Sequence, residues 1–224
     1  MTAAARYYLR LLVSRQAVLA PVLVYLSIVA VNNATPADTL KTELPLRAGA
    51  VTAVALMPVT AWLTRLVATS ESAPFAEITL VNLGGSLRRQ AARSAAVLAI
   101  AVPLACVATL WGLLVNAHRH HPASVVVVLL GMHVAEACAG AGIGILIAPP
   151  LRTRVGTAVA GITGLTLLSL LVPWLPPLNP VLQATFRHVS PAPGLLWLVT
   201  GQAVALGLAC AVAGTSLARA RRPG

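Results

Sequence analysis

Acidic residues are nearly missing from this chain. Five occur in 224 residues (Asp38, Glu43, Glu71, Glu77 and Glu136), against sixteen Lys and Arg. Charged residues of both signs make up only 9% of the sequence. A soluble domain carries roughly a quarter, so most of this surface cannot face water. Lysine is reduced to Lys41, and aromatics to 4%. Cysteine is scarce as well. Cys106, Cys138 and Cys210 lie far apart in apolar stretches, with neither CxxC spacing nor a secreted disulfide framework, which leaves small packed side chains as their reading. No GxSxG, HExxH or paired-Asp motif supports hydrolytic or metal-dependent catalysis, and no GxxxxGK[ST] loop is present to bind nucleotide phosphates.

What the chain has instead is apolar length. Hydrophobic residues make up 58% and the mean hydropathy is +0.86, the profile of an all-α, polytopic membrane protein. A helix needs about 20 apolar residues to cross a bilayer core of about 30 Å. Six candidates meet or approach that length: 16–32, 48–67, 94–116, 123–148, 155–175 and 194–217. The first is short unless preceding residues contribute. Those residues, RYYLRLLVSRQ, set Arg6 and Arg10 on one helical face among Tyr and Leu, as in an interfacial helix leading into a span. No small-residue cleavage site follows the first run, which reads as a retained span.

Orientation follows from the basic residues. With the N-terminus inside, twelve fall on the cytoplasmic side, and Lys41, Arg47, Arg119 and Arg187 fall outside. Over short loops this is a positive-inside pattern, so both termini are expected in the cytoplasm. The same distribution argues against a nucleic-acid partner despite a pI of ≈ 11.4. The charge is spread over every inner loop without a stacking platform, and anionic lipid head groups account for it better.

One inner connection differs from its surroundings. Residues 70–94 read SESAPFAEITLVNLGGSLRRQAARS, between the second and third spans. Ser72 is placed to cap a helix, Pro74 suits its first turn, and Glu77 comes early, near the positive helix end. Phe75, Ile78, Leu80, Val81 and Leu83 supply an apolar side. Gly84 and Gly85 stop the helix, one of them in a left-handed conformation. Ser86 is placed to cap the next helix, and Arg88, Arg89 and Arg93 form a basic ramp into the third span. Two readings stay open: an interfacial helix floating in the headgroups, or a docking element for a cytoplasmic partner.

In its order of parts the chain resembles the permease subunits of bacterial type-2 ABC exporters. Those have six spans with both ends inside, an N-terminal amphipathic helix and a coupling helix between spans two and three. Ser70–Glu71, Phe75–Leu83, Gly84–Gly85 and Arg88–Arg93 follow the family's loop order, with APFAEITL in place of its usual start and Arg93 where Lys is often found. A second likeness lies in VPWLPPLNPVLQATFRHVSPAPG, 172–194. Pro173, Pro176, Pro177, Asn179 and Pro180 match in kind the family's re-entrant outer segment, although an ordinary Pro-rich outer loop is the other reading. The resemblance implies a single permease domain over 1–224 in the bacterial plasma (inner) membrane. It implies a second permease, identical or related, and an ABC ATPase subunit as partners, with no cofactor in this chain and ATP and Mg on that ATPase. Phe75, Glu77, Ile78, Leu80, Val81, Gly84, Gly85, Arg88 and Arg89 would couple to the ATPase. The cargo would be an amphipathic small molecule, peptide or lipid-like molecule.

The fourth span, SVVVVLLGMHVAEACAGAGIGILIA, carries His133 and Glu136 on one helical side, with Gly140 and Gly144 continuing the line from Glu136. An intramembrane carboxylate is costly enough to point to function: lining a transport path, exchanging a proton or holding a cationic group. The plainer reading is a protonated or hydrogen-bonded Glu136 that ties this span to a neighbour, with His133 as its partner. GAGIG (140–144) has dinucleotide-loop spacing, but without a preceding strand it reads as helix packing. HRHH (118–121) reads as a solvated outer turn, and no metal site is assigned. The rival functions are a proton-coupled secondary transporter using His133 and Glu136, a membrane enzyme, which the missing catalytic motifs disfavour, and a non-transporting scaffold subunit.

Overall fold

A computed structural model of the chain describes residues 2–34, 44–115, 123–148, 155–171 and 193–220. Among these the regular structure is entirely helical. Helix α1 spans Thr2–Val13, a 3-10 turn covers Gln16–Val18, and α2 spans Leu19–Asn32. There follow α3 (Leu44–Ala68), α4 (Ala73–Asn82), α5 (Ser86–Val115), α6 (Ala123–Ile147), α7 (Val155–Leu171) and α8 (Pro193–Ala220).

Helices α3, α5 and α6, together with the stretch 200–217 of α8, are long and apolar enough to cross a membrane. A fifth span exists if α1 and the 16–32 stretch count together, across a bend of 85°. The bend falls where Arg15 leaves helical geometry for an extended conformation, and Arg15 Nη2 donates to the Ser70 carbonyl at 3.0 Å, which pins the corner to the α3–α4 connection. Residues 155–168 form a shorter apolar helix. The expected third span at 94–116 is the greater part of a longer unit. At 1.5 Å per residue the 30 residues of α5 extend about 45 Å, more than a bilayer core of about 30 Å. The basic ramp is therefore the projecting first turns of the same helix.

Contact geometry sets helix direction. Thr52 of α3 meets His133 of α6, and further along both chains Gly140 lies against Met57 and Gly144 against Ala61 and Thr64. Helices α3 and α6 thus run parallel. So do α6 and α8, because Gly207 packs on Cys138 and Gly214 on Ile145. Helix α5 runs the opposite way, with Arg93 beside Glu71 at one end and Gly112 beside Asn33 at the other. Two apolar cores share α3: one is built from α1, α2, α3, α5 and Ala137 of α6 around Tyr8, Leu12, Tyr25, Leu56 and Leu63, the other from α3, α6, α7 and Ala203 of α8. Leu and Val side chains on α2, α5 and α8 point outward, as do Trp111 and Trp197. Both tryptophans sit at the bundle end away from α4, where an interfacial aromatic belt would place them.

Candidate functional site

Helix α4 occupies one end of the bundle, joined to α3 and α5 by short turns. Ser72 precedes it in an extended conformation but makes no side-chain capping bond, and Pro74 stands in the first turn. Glu77 is exposed and lies early in the helix, just past its first turn. Termination is a complete Schellman motif. The Gly85 amide donates to the Leu80 carbonyl and the Gly84 amide to the Val81 carbonyl. Both glycines have positive φ, 67° and 132°, where only one was expected. Ser86 begins α5 itself instead of preceding it.

The apolar residues of α4 divide into two groups. Phe75 (62% exposed), Ile78 (56%) and Val81 (77%) project outward, while Leu80 and Leu83 are half-buried. A groove of ≈ 330 Å³ runs between α1 and α4, lined by Ala4, Tyr7, Phe75, Thr79, Asn82 and Leu83. Two arginines of α5 fix the unit. Arg89 Nη1 donates to the Ala76 carbonyl at 2.8 Å, and Arg93 donates from Nη2 to the Glu71 carboxylate, in a pair almost fully out of water. The Arg93 guanidinium also lies 5.3 Å from the centroid of the Tyr8 ring, joining α1 to the same cluster. Burial pushes the Tyr8 phenol up to about 12, with Arg93 opposing and Glu71 adding to the rise. Arg88 is exposed.

Deeper in the bundle, His133 is fully buried. Its Nδ1 sits 2.7 Å from the Leu129 carbonyl and therefore carries a hydrogen. Its Nε2 sits 3.0 Å from Thr52 Oγ1. Both ring nitrogens are thus occupied by groups other than Glu136, which corrects the expected pairing of the two. Glu136 is 2% exposed, and its Oε2 meets no donor among the described residues. The two side chains share the buried side of α6 without bonding to each other. Pro173, Pro176, Pro177, Asn179 and Pro180, like the 118–121 histidines and Arg119, lie outside the described residues. Among the described residues no group of three His, Cys, Asp or Glu is placed to hold a metal ion.

Several of these residues carried no signal in the sequence. The cross-helix partner of His133 is Thr52 of α3, and Asn33 and Thr109 line a small cavity beside it. Glu71 and Arg93 were visible as charges, but nothing in their separation marked them as a pair.

Among the described residues the fold is all-helical, with several helices long and apolar enough to cross a membrane. Compared with protein-family models, curated proteins and solved structures, the chain matches none, so its function is argued from its own geometry.

Proposed function

We propose that this chain is the membrane subunit of an ATP-driven ABC exporter in the bacterial plasma membrane, with six spans, both termini cytoplasmic and ATP hydrolysis on a separate partner. The observation that carries the reading is α4. Phe75, Ile78 and Val81 stand exposed on a helix beyond the spans, and exposed apolar clusters mark contact surfaces. The helix is tied to its neighbour: a two-glycine turn and Arg89 join it to α5, while Arg93 and Glu71 join its approach to α5 as well. A push on α4 would therefore reach α3 and α5 directly. The parallel course of α3, α6 and α8 is what alternate spans require, and the basic residues of inner loops agree with α4 facing the cytoplasm. Residues 155–175 supply the fifth span in this reading, and 172–194 the re-entrant outer segment. A second permease copy, identical or related, would complete the path, with an amphipathic small molecule, peptide or lipid-like molecule as cargo.

The test is co-purification with an ATPase subunit, scored by ATP hydrolysis and by ATP-dependent export from vesicles. Phe75→Asp with Glu77→Lys should abolish both while the membrane fold is retained. A protein that purifies alone and moves solute under a pH gradient without ATP would overturn the reading.

That outcome belongs to a second reading, a proton-coupled carrier, which the buried Glu136 Oε2, without a partner among the described residues, favours. Glu136→Gln should then fold and fail to transport, and unchanged transport by this variant removes Glu136 from the path.

A further inference from the structure

His133 has polar company. At the bundle end far from α4, Asn33 directly follows α2, Thr52 lies in α3, Thr109 in α5 and His133 in α6, around a small cavity of ≈ 10 Å³ also bounded by Gly49 and Gly112. Every one of these polar side chains is buried: His133 0%, Thr52 1%, Thr109 3% and Asn33 5% exposed. Thr109 Oγ1 has no hydrogen-bond partner among the described residues. A buried hydroxyl left unmet costs about 1–3 kcal/mol, and four helices do not bring polar groups to one point in an apolar bundle without a partner for them.

We infer that this cavity holds a single water molecule, which bridges α2, α3 and α5 beside His133. The size agrees, since one water needs roughly 10–15 Å³ and two to four polar partners. The hydrogens agree as well. Asn33 Nδ2 is used on the Val29 carbonyl at 2.8 Å, and its Oδ1 is turned toward Gly112, 3.3 Å from where a Cβ would stand, as an acceptor. Thr52 Oγ1 touches His133 Nε2 at 3.0 Å and the Gly49 carbonyl at 3.0 Å. A hydroxyl has one hydrogen and two lone pairs, so whichever neighbour takes the hydrogen, Thr52 keeps a lone pair for water. Water donates to Asn33 Oδ1 and Thr52 Oγ1 and accepts the Thr109 hydrogen. That makes three bonds, the usual number for a buried water. A sodium or potassium ion suits the site worse, because no carboxylate lines the cavity and both nitrogens of the imidazole are already engaged.

Solid-state NMR of the full chain in lipid bilayers, with magnetisation transferred from water to protein, reads the site directly. Transfer to Thr109 and Gly112 is expected in the unaltered chain, kept in Thr109→Ser and lost in Thr109→Val, which has nearly the same shape. No transfer in the unaltered chain overturns the inference, and so does transfer that survives Thr109→Val. Melting temperatures supply an independent arm. Asn33 and Thr109 make no direct bond, so a shared water predicts that Asn33→Ala and Thr109→Val do not add, the double variant melting close to the less stable single one. Additive shifts overturn the inference. A melting temperature that rises with sodium or potassium at constant ionic strength also overturns it, by assigning the cavity to an ion.

Discussion

Arg93 and Glu71 lie 22 residues apart and meet beneath the Tyr8 ring, which makes this cluster the junction of α1, α5 and the approach to α4. Removing one member of a buried ion pair leaves the other charge without compensation, at a cost of about 3–5 kcal/mol, whereas exchanging both for apolar residues is often neutral. Arg93→Met should therefore destabilise the protein by about that amount, and Arg93→Met with Glu71→Leu should recover most of it, as read by chemical unfolding in detergent. Equal stability of the single variant and the unaltered chain would show the pair to be idle. Tyr8 makes a prediction in pH. Its phenol is held up to about 12 against a usual 10.0, so the folded state resists ionisation that the unfolded chain accepts. The stability it contributes is complete below pH 10 and is lost as pH rises from 10 to 12. Tyr8→Phe should flatten that part of the curve and leave stability near pH 7 little changed in slope. The charges of this cluster were readable in the sequence as an acid in the loop and a base at the ramp. Their pairing was not, because it depends on how two turns fold α5 back against α3.

At the scale of elements, α6 is the centre of the bundle, and it is glycine that lets its neighbours approach. A methyl group at Gly140 would overlap the Met57 carbonyl and the Thr60 hydroxyl of α3, and one at Gly142 would strike the Gly207 backbone of α8. Without a hydrophobic drive between helices in lipid, such close approach is what holds spans together. Gly140→Ala should cost about 1–3 kcal/mol through overpacking. Gly164 of α7 has open space around it, so Gly164→Ala should be neutral or stabilising by up to about 1 kcal/mol. Parallel thermal melts of the two variants compare them, and equal losses would refute the packing account. The α3-facing line through Gly140 and Gly144 was legible from its four-residue spacing. The α8-facing role of Gly142 was hidden, since Gly207 and Gly214 lie more than sixty residues away.

For the whole molecule, the two ends of the bundle differ in chemistry. One end has α4, the buried Arg93–Glu71 pair and the α1–α2 corner, and the other has Asn33, Thr109 and the two outward tryptophans. In a background with Cys106, Cys138 and Cys210 replaced by Ala, Glu77→Cys should react with a membrane-impermeant maleimide only from the cytoplasmic side. Ala34→Cys, exposed beyond the end of α2, should react only from outside. Labelling of both positions from the same side would rule out the proposed orientation.

By itself the sequence determined the class of structure and the approximate course of the chain. Long apolar runs in a chain with 9% charge have no stable alternative to helices that bury their backbone bonds in lipid, and Gly84–Gly85 announce the end of α4 because a left-handed turn costs glycine little. Periodicity also put His133 and Glu136 on one side of α6. Which groups meet them was left to the tertiary structure. Thr52 of α3 bonds His133, and Asn33 and Thr109 line the cavity beside it, while Glu136, one turn away, lies buried with Oε2 unmet among the described residues. Spacing within a helix fixes direction around its own axis, and only packing between helices decides what lies in that direction.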